Sequence, residues 1–123
     1  MFEMHKEVIL PDTAVLHLSG RISMGKPCQD IDTQVDELIR EKIVKVVLDL
    51  VHVDRVDSTG FGTIVMNSGK LRKAGGELRV AGAAGIVAEI AHSSQIPRIV
   101  PFHATVEEAL ANFGGGVKIS GSS

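Results

Sequence analysis

The sequence predicts a single α/β domain built around a mixed β-sheet. Two apolar segments near the N-terminus, separated by Pro11-Asp12, alternate in the manner of paired strands. A nearly continuous apolar run at 44–51 is typical of a strand buried on both faces, as in a parallel sheet. From residue 27 onward, helical and strand patterns alternate. We therefore expect an N-terminal antiparallel hairpin followed by parallel βα units, with about four helices.

Composition and charge narrow the class of protein. The chain has 123 residues, of which 44% are hydrophobic, and this suits one domain with a substantial core. Its net charge of −2 leaves no basic surface for nucleic acid. Cys28 is the lone cysteine, which excludes an internal disulfide and indicates a reducing compartment. The N-terminus is charged and no apolar stretch is long enough to span a membrane. We expect a cytoplasmic protein, monomeric or weakly dimeric, with no membrane partner.

The first segments form the predicted hairpin and the helix that follows it. One side of the first strand is mostly apolar and comprises Phe2, Met4, Lys6, Val8 and Leu10. The second strand covers 14–18, and the stretch 19–27 is either a loop or a short extension of that strand. Pro27 suits the first turn of a helix. The apolar face of this helix contains Ile31, Val35, Leu38 and Ile39.

The segment 44–74 organises the rest of the chain. After the apolar run, the polar stretch 52–60 predicts a turn, and a helix follows whose inward face comprises Phe61, Ile64, Val65, Ser68 and Leu71. Either Asp57 or Ser58 suits the N-cap, because a short side-chain oxygen accepts a hydrogen bond from the free N–H groups of the first turn. A serine hydroxyl is thus placed at the start of a helix and at the carboxyl end of a strand, where sites in such sheets gather.

Glycine and proline residues divide the next part of the chain. Gly75-Gly76 ends the helix, and a strand is expected at 77–81. The face of the short helix that follows comprises Ile86, Val87, Ile90 and Ala91. A short last strand is expected at 98–100, stopped by Pro101.

A capping-box pattern marks the final helix. Thr105 is the predicted N-cap and Glu108 lies three residues later. We expect the domain to span residues 1–113. The glycine-rich and polar residues 114–123 are expected to be a flexible tail.

Ser58 is the strongest candidate for a functional side chain. Its simplest role is to cap the helix. Gly60 and Gly62 leave the first turn uncluttered, however, and Asp54 and Asp57 flank the position. A phosphate would add about −1.5 to −2 charges there. The helix dipole offsets a part worth roughly 0.3–1 kcal/mol, so we expect the fold to survive phosphorylation while the surface changes sign.

The stretch 48–65 and its flanks resemble STAS domains, specifically the bacterial anti-sigma-factor antagonists. The resemblance rests on a strand with the internal Asp49, a turn and the run Asp57-Ser58-Thr59-Gly60-Phe61-Gly62. It extends to a following Gly-Gly-x-Leu-x-Val strand and covers about residues 3–113. It implies that a partner Ser/Thr kinase, itself an anti-sigma factor, phosphorylates Ser58 and that a phosphatase restores the hydroxyl. The unphosphorylated chain would bind the kinase and release the sigma factor, as a non-enzymatic regulator without cofactor or metal.

The same resemblance implies a partner-binding surface around Ser58. Its members are Asp57, Thr59, Gly60, Phe61, Gly62, Arg21, Ser23 and Asp54. Many of these antagonists carry an acidic residue in a Gly-x-hydrophobic-Asp pattern, whereas the run Gly20-Arg21-Ile22-Ser23 ends here in serine. This difference bears on which partner binds. Thr59 is a second potential phosphate acceptor.

Other functions fit the residues less well. Ser58 lacks the first glycine of a hydrolase nucleophile elbow, and no histidine is placed to act as its base. The histidines do not have the spacing of metal ligands; they are His5, His17, His52, His92 and His103. No dinucleotide-binding glycine pattern is present. Two alternatives stay open: a scaffold or subunit module of a larger regulatory or lipid-transport assembly, and a nucleotide-binding regulatory domain.

Overall fold

The computed structural model describes residues 1–111 and 113. The expected flexible tail at 114–123 lies outside these residues. In chain order the elements are β1 (Glu3–Ile9), β2 (Thr13–Ile22), α1 (Lys26–Arg40), β3 (Lys45–Val56), α2 (Ser58–Lys73), β4 (Glu77–Ala81), α3 (Gly85–Ser93), a 3-10 turn (Ile96–Arg98), β5 (Phe102–His103) and α4 (Val106–Leu110).

The sheet has the predicted mixed topology. Its strand order is β1-β2-β3-β4-β5, with β1 antiparallel to β2 and the remaining neighbours parallel. The strand order follows the chain order, as expected for an N-terminal hairpin followed by successive βα units. The fold class predicted from the sequence is therefore confirmed.

The core lies mainly on one face of the sheet. Helices α1, α2 and α3 pack their apolar residues there against β2, β3 and β4. A smaller cluster beneath α4 covers part of the other face and contains Val15, Val47, Ala81 and Ala109. As predicted, the first half of β3 is buried on both faces, and its residues from Val46 to Leu50 are all buried.

The polar turn predicted at 52–60 is wrong, because β3 continues to Val56. The pairing of β2 with β3 shifts register between His17 and Ser19. In this bulged region the Asp49 carboxylate accepts a hydrogen bond from the backbone N–H of Val51 at 3.1 Å. Polar residues on the extension are exposed while Val53 and Val56 remain buried. The register shift interrupts the alternation of buried and exposed residues along β3, so the sequence pattern does not show that this strand extends to the start of α2.

The strand predicted at 98–100 is also wrong. Pro97 lies in the 3-10 turn, and the last strand follows it at Phe102–His103. Pro101 directly precedes this strand and does not end one, and its carbonyl accepts a hydrogen bond from the N–H of Val80 at 2.9 Å. Proline lacks only the donor of the ladder and keeps the acceptor.

Strand β1 forms one edge of the sheet and is more exposed than its alternation predicts. Phe2 and Met4 are half-buried and pack against the core. Farther along the same side, Val8 is 40% and Leu10 is 80% exposed. Only the first half of the predicted apolar side is therefore covered.

A histidine connects this edge strand to the centre of the sheet. His17 Nδ1 lies 2.7 Å from Asp49 Oδ2, and His17 Nε2 lies 2.8 Å from Glu7 Oε1. Both ring nitrogens donate only when the imidazole is protonated. The hydrogen bond with Glu7, followed by that with Asp49, raises the pKa of His17 above its ordinary value, against the effect of burial. The three-strand bridge is therefore a property of the protonated ring.

We predict that His17 makes the folding stability depend on pH. A raised pKa in the folded state gives a contribution that is fully present below the ordinary imidazole pKa of about 6.5 and is lost as pH rises through the folded-state value. Urea unfolding of wild type and His17→Gln between about pH 5.5 and 8.5 measures it. The stability difference should shrink as pH rises, by at most about 1 kcal/mol because Glu7 is exposed. A difference that stays constant across this range would contradict the assignment.

Candidate functional site at the start of helix α2

Asp57 alone joins β3 to α2, and it is the N-cap of the helix. Its backbone is extended, with φ −85° and ψ 178°, and its Oδ1 accepts from the N–H of Gly60 at 2.7 Å. Its Oδ2 accepts from the N–H of Met24 in the β2–α1 loop at 3.1 Å. Its own N–H donates to the carbonyl of Ile22 at 3.2 Å. One residue therefore holds the helix, the loop and the end of β2 together.

Because Asp57 caps the helix, the hydroxyl of Ser58 is not used for that purpose. Ser58 is the first residue of α2, is exposed, and makes no side-chain hydrogen bond within residues 1–111 and 113. Thr59 beside it is exposed as well. The positive end of the α2 dipole lies at this position and favours negative charge. The arrangement presents a free hydroxyl to solvent in a setting that accepts an anion.

The two glycines of the first turn have different roles. A Cβ at Gly60 would lie 2.5 Å from the carbonyl oxygen of Ile22 and 2.8 Å from Val56 Cγ1. A Cβ at Gly62 would have no neighbour within 4 Å. Gly60 thus lets α2 pack closely against the end of β2, whereas Gly62 leaves the surface beside Ser58 without a side chain.

The structure places most of the predicted site residues around the start of α2 but does not expose all of them, and Asp54 lies farther back on β3. The exposed ones are Arg21, Asp54, Asp57, Ser58, Thr59 and Gly62, and Ser23 is half-buried. Gly60 is buried, and Phe61 is only 6% exposed because its ring belongs to the core. These two residues lie beneath the surface and support it. The helical periodicity of the sequence predicted this inward position for Phe61.

The sequence interpretation missed the apolar surroundings of Ser58. A cavity of about 640 Å³ lies beside it between α2 and α3, and its walls include Phe61, Val65, Met66, Ile90 and Ile96. Four large apolar side chains near this site are exposed, and we call them the apolar rim: Met24 (73%), Met66 (50%), Ile86 (46%) and Ile90 (39%). Of the predicted inward face of α3, Val87 and Ala91 are buried, but Ile86 and Ile90 are not. Exposed apolar side chains gathered around a polar group are typical of a protein-binding surface.

The described residues contain no group of three or more histidine, cysteine or acidic side chains arranged to hold a metal ion. Among the helices described here, none combines the length and apolar character needed to cross a membrane.

The fold and the site define a small α/β domain that presents a helix-terminal serine at the carboxyl edge of a mixed sheet. The sequence profile of the STAS domain family matches residues 6–109. The chain belongs to this family. No curated protein sequence matches it significantly.

Solved structures share the fold at low sequence identity. The anti-sigma factor antagonist SpoIIAA in its unphosphorylated form is 19% identical, with a TM-score of 0.78 over 94% of this chain and 100% of that one. SpoIIAA of Bacillus in its phosphorylated form gives 17% identity and a TM-score of 0.70 over 88% and 96%. An anti-sigma factor antagonist from Mycobacterium paratuberculosis gives 18% and 0.80 over 92% and 94%.

The same fold occurs in another setting. A sulfate transporter family protein from Wolinella succinogenes is 14% identical, with a TM-score of 0.67 over 85% of this chain and 87% of that one. At such identities the likeness shows the fold alone.

We predict that Gly60→Ala destabilises the protein by about 1–3 kcal/mol, because the added methyl group meets a backbone carbonyl. Gly62→Ala is the matched control in the same helical turn. It should leave stability unchanged or raise it by up to about 1 kcal/mol through helix propensity. Urea unfolding of the two variants tests this. Equal effects at the two positions would show that the close approach at Gly60 is not needed.

We also predict that Asp57→Ala lowers the free energy of unfolding by about 0.5–2 kcal/mol through loss of the cap. Asp57→Asn should lose less, because the amide oxygen still accepts from Gly60 while the bond from Met24 is lost. Asp54→Ala serves as the control, since it removes a nearby exposed carboxylate that has no capping role. If the Asp54 variant lost as much as Asp57→Ala, general charge effects would explain the result.

Proposed function

We propose that this chain is an anti-sigma-factor antagonist that acts by partner switching. With Ser58 unmodified, it binds an anti-sigma factor that is also a Ser/Thr kinase, and the sigma factor is released. Phosphorylation of Ser58 ends this binding, and a phosphatase restores it. The observation that carries the proposal is the exposed Ser58 hydroxyl, which is not needed for capping because Asp57 is the cap, and which shares a cavity with Met66 and Ile90 of the apolar rim.

The chemistry of the site supports a role as phosphate acceptor. The kinase would supply ATP, Mg²⁺ and the catalytic base, so this chain needs no catalytic group, cofactor or metal of its own. Proteins with this fold include SpoIIAA, which has been solved in unphosphorylated and phosphorylated forms. Thr59, exposed beside Ser58, remains the second potential acceptor.

The contact surface has two kinds of residue. Asp57, Thr59, Gly62, Arg21, Ser23 and Asp54 would meet the partner directly or across bound water. Gly60 and Phe61 would act by holding α2 against the sheet, since both are buried. The apolar rim supplies contact area for the partner. We expect the chain to be cytoplasmic and monomeric or weakly dimeric.

The energetic effect of one phosphate suffices for a switch. It adds about −1.5 to −2 charges at neutral pH. Like-charge contact at an interface costs several kcal/mol. A loss of about 3–4 kcal/mol weakens binding on the order of a hundredfold or more. The α2 dipole offsets only roughly 0.3–1 kcal/mol of local repulsion, so the fold is retained while the partner is lost.

We predict that Ser58→Ala binds the kinase permanently and that Ser58→Asp binds it at least about tenfold more weakly. Thr33→Ala and Thr33→Asp are the matched controls, because Thr33 is an exposed hydroxyl residue in the middle of α1. Affinities are measured with the purified kinase in the presence and absence of ATP. The proposal fails if both Ser58 variants bind like wild type and ATP does not release the wild-type protein.

A further inference from the structure

Two arginines lie side by side near the carboxyl ends of β2 and β3, where α2 begins with Ser58. Arg21 on β2 and Arg55 on β3 are paired in register, so their backbones are about 4.8 Å apart. Both side chains are exposed. Two like charges held this close repel each other. Within residues 1–111 and 113, neither guanidinium forms an ion pair. A bound anion would relieve this repulsion.

The arginine pair faces a cavity that adjoins the Ser58 site. This cavity has a volume of about 310 Å³, and Arg21, Ser23, Arg55 and Asp57 line it. Three residues line both this cavity and the one beside Ser58: Val56, Asp57 and Ile90. Arg55 also lies only three residues before Ser58 in the chain. The cavity that the two arginines line therefore adjoins the cavity that Ser58 lines.

We propose that Arg21 and Arg55 bind the phosphoryl group of Ser58 once that residue is phosphorylated. A phosphate monoester offers three acceptor oxygens, and guanidinium groups bind such oxygens in bidentate, charge-assisted hydrogen bonds. The inference rests on the proposed function, because it concerns the phosphorylated state of the same serine. It adds the residues that receive the phosphate on this chain.

Other charges near the site do not compete for this role. The Asp57 carboxylate already accepts from two backbone N–H groups. Lys26, at the start of α1, is paired with Asp30 at 3.1 Å. From α3, the apolar Ile90 lines both cavities and Ile86 lines the arginine cavity.

The remaining charged groups determine the net electrostatic effect on a phosphate at Ser58. The sequence of α2 contains no charged residue before Lys70. Asp54 and Asp57 oppose a phosphate, whereas Arg21, Arg55 and the α2 dipole favour it. A bound phosphate would also remove both guanidinium groups from the surface that a partner meets, so modification changes this face at two points.

The test uses protein with phosphoserine installed at position 58 during synthesis, so it does not depend on any kinase. Titration by ³¹P NMR gives the second pKa of the phosphate, which is about 6 in a free phosphoserine. We expect the second pKa of phosphoserine 58 to be about one pH unit lower in the otherwise wild-type protein than in the double variant Arg21→Gln/Arg55→Gln, which is a tenfold change in proton affinity. Arg40→Gln removes the same kind of charge from the far end of α1 and should leave the titration unchanged.

A second pKa that is the same in the wild-type and doubly substituted backgrounds would overturn the proposal. If unmodified protein then also bound inorganic phosphate in an arginine-dependent way, the pair would serve a free anion and not the phosphate of Ser58. All substituted residues are exposed, and amide spectra confirm that each variant is folded. Failure of the kinase to modify or bind the chain would instead count against the proposed function and leave this titration as it stands.

Discussion

The double acceptor role of the Asp57 carboxylate is the interaction on which the site depends. By taking the N–H groups of Gly60 and Met24, it caps α2 and fixes the β2–α1 loop against the helix. A serine at the N-cap would have used its own hydroxyl oxygen as the acceptor of the capping hydrogen bond. Because the cap lies one residue earlier, Ser58 keeps its hydroxyl free at the positive end of the helix dipole. Structural and chemical roles are thus divided between two adjacent side chains.

Rigid support and an accessible acceptor are combined at this edge of the sheet. Gly60 and Phe61 anchor the first turn of α2 from below, and β3 reaches the site as a strand rather than as a loose turn. The groups above this base are exposed and of mixed chemistry: a hydroxyl, the apolar rim and two neighbouring arginines that form no ion pair within residues 1–111 and 113. Such a surface suits contact with a protein, and the proposed phosphate on Ser58 would change its charge.

Much of the fold followed from local patterns, whereas the predictions that failed concern features set by contacts between elements distant in the chain. Alternation and caps predicted the hairpin, the helix order and the role of Asp57 as one of two possible caps. The extension of β3 escaped prediction because the bulge, stabilised by Asp49, breaks the period of two. The exposure of Ile86 and Ile90 depends on how a nine-residue helix is rotated against the sheet. The pairing of Arg21 with Arg55 is set by strand register, which no spacing along the chain reveals.

The most direct measurement of the central claim is the phosphorylation state of the protein isolated from its own cells. Intact-mass analysis before and after phosphatase treatment, followed by fragmentation to map the modified residue, determines it. The account predicts a form that carries one phosphate on Ser58 and returns to the unmodified mass after treatment. A phosphate mapped to another residue, or a chain that stays unmodified both in growing and in stressed cells, would contradict it.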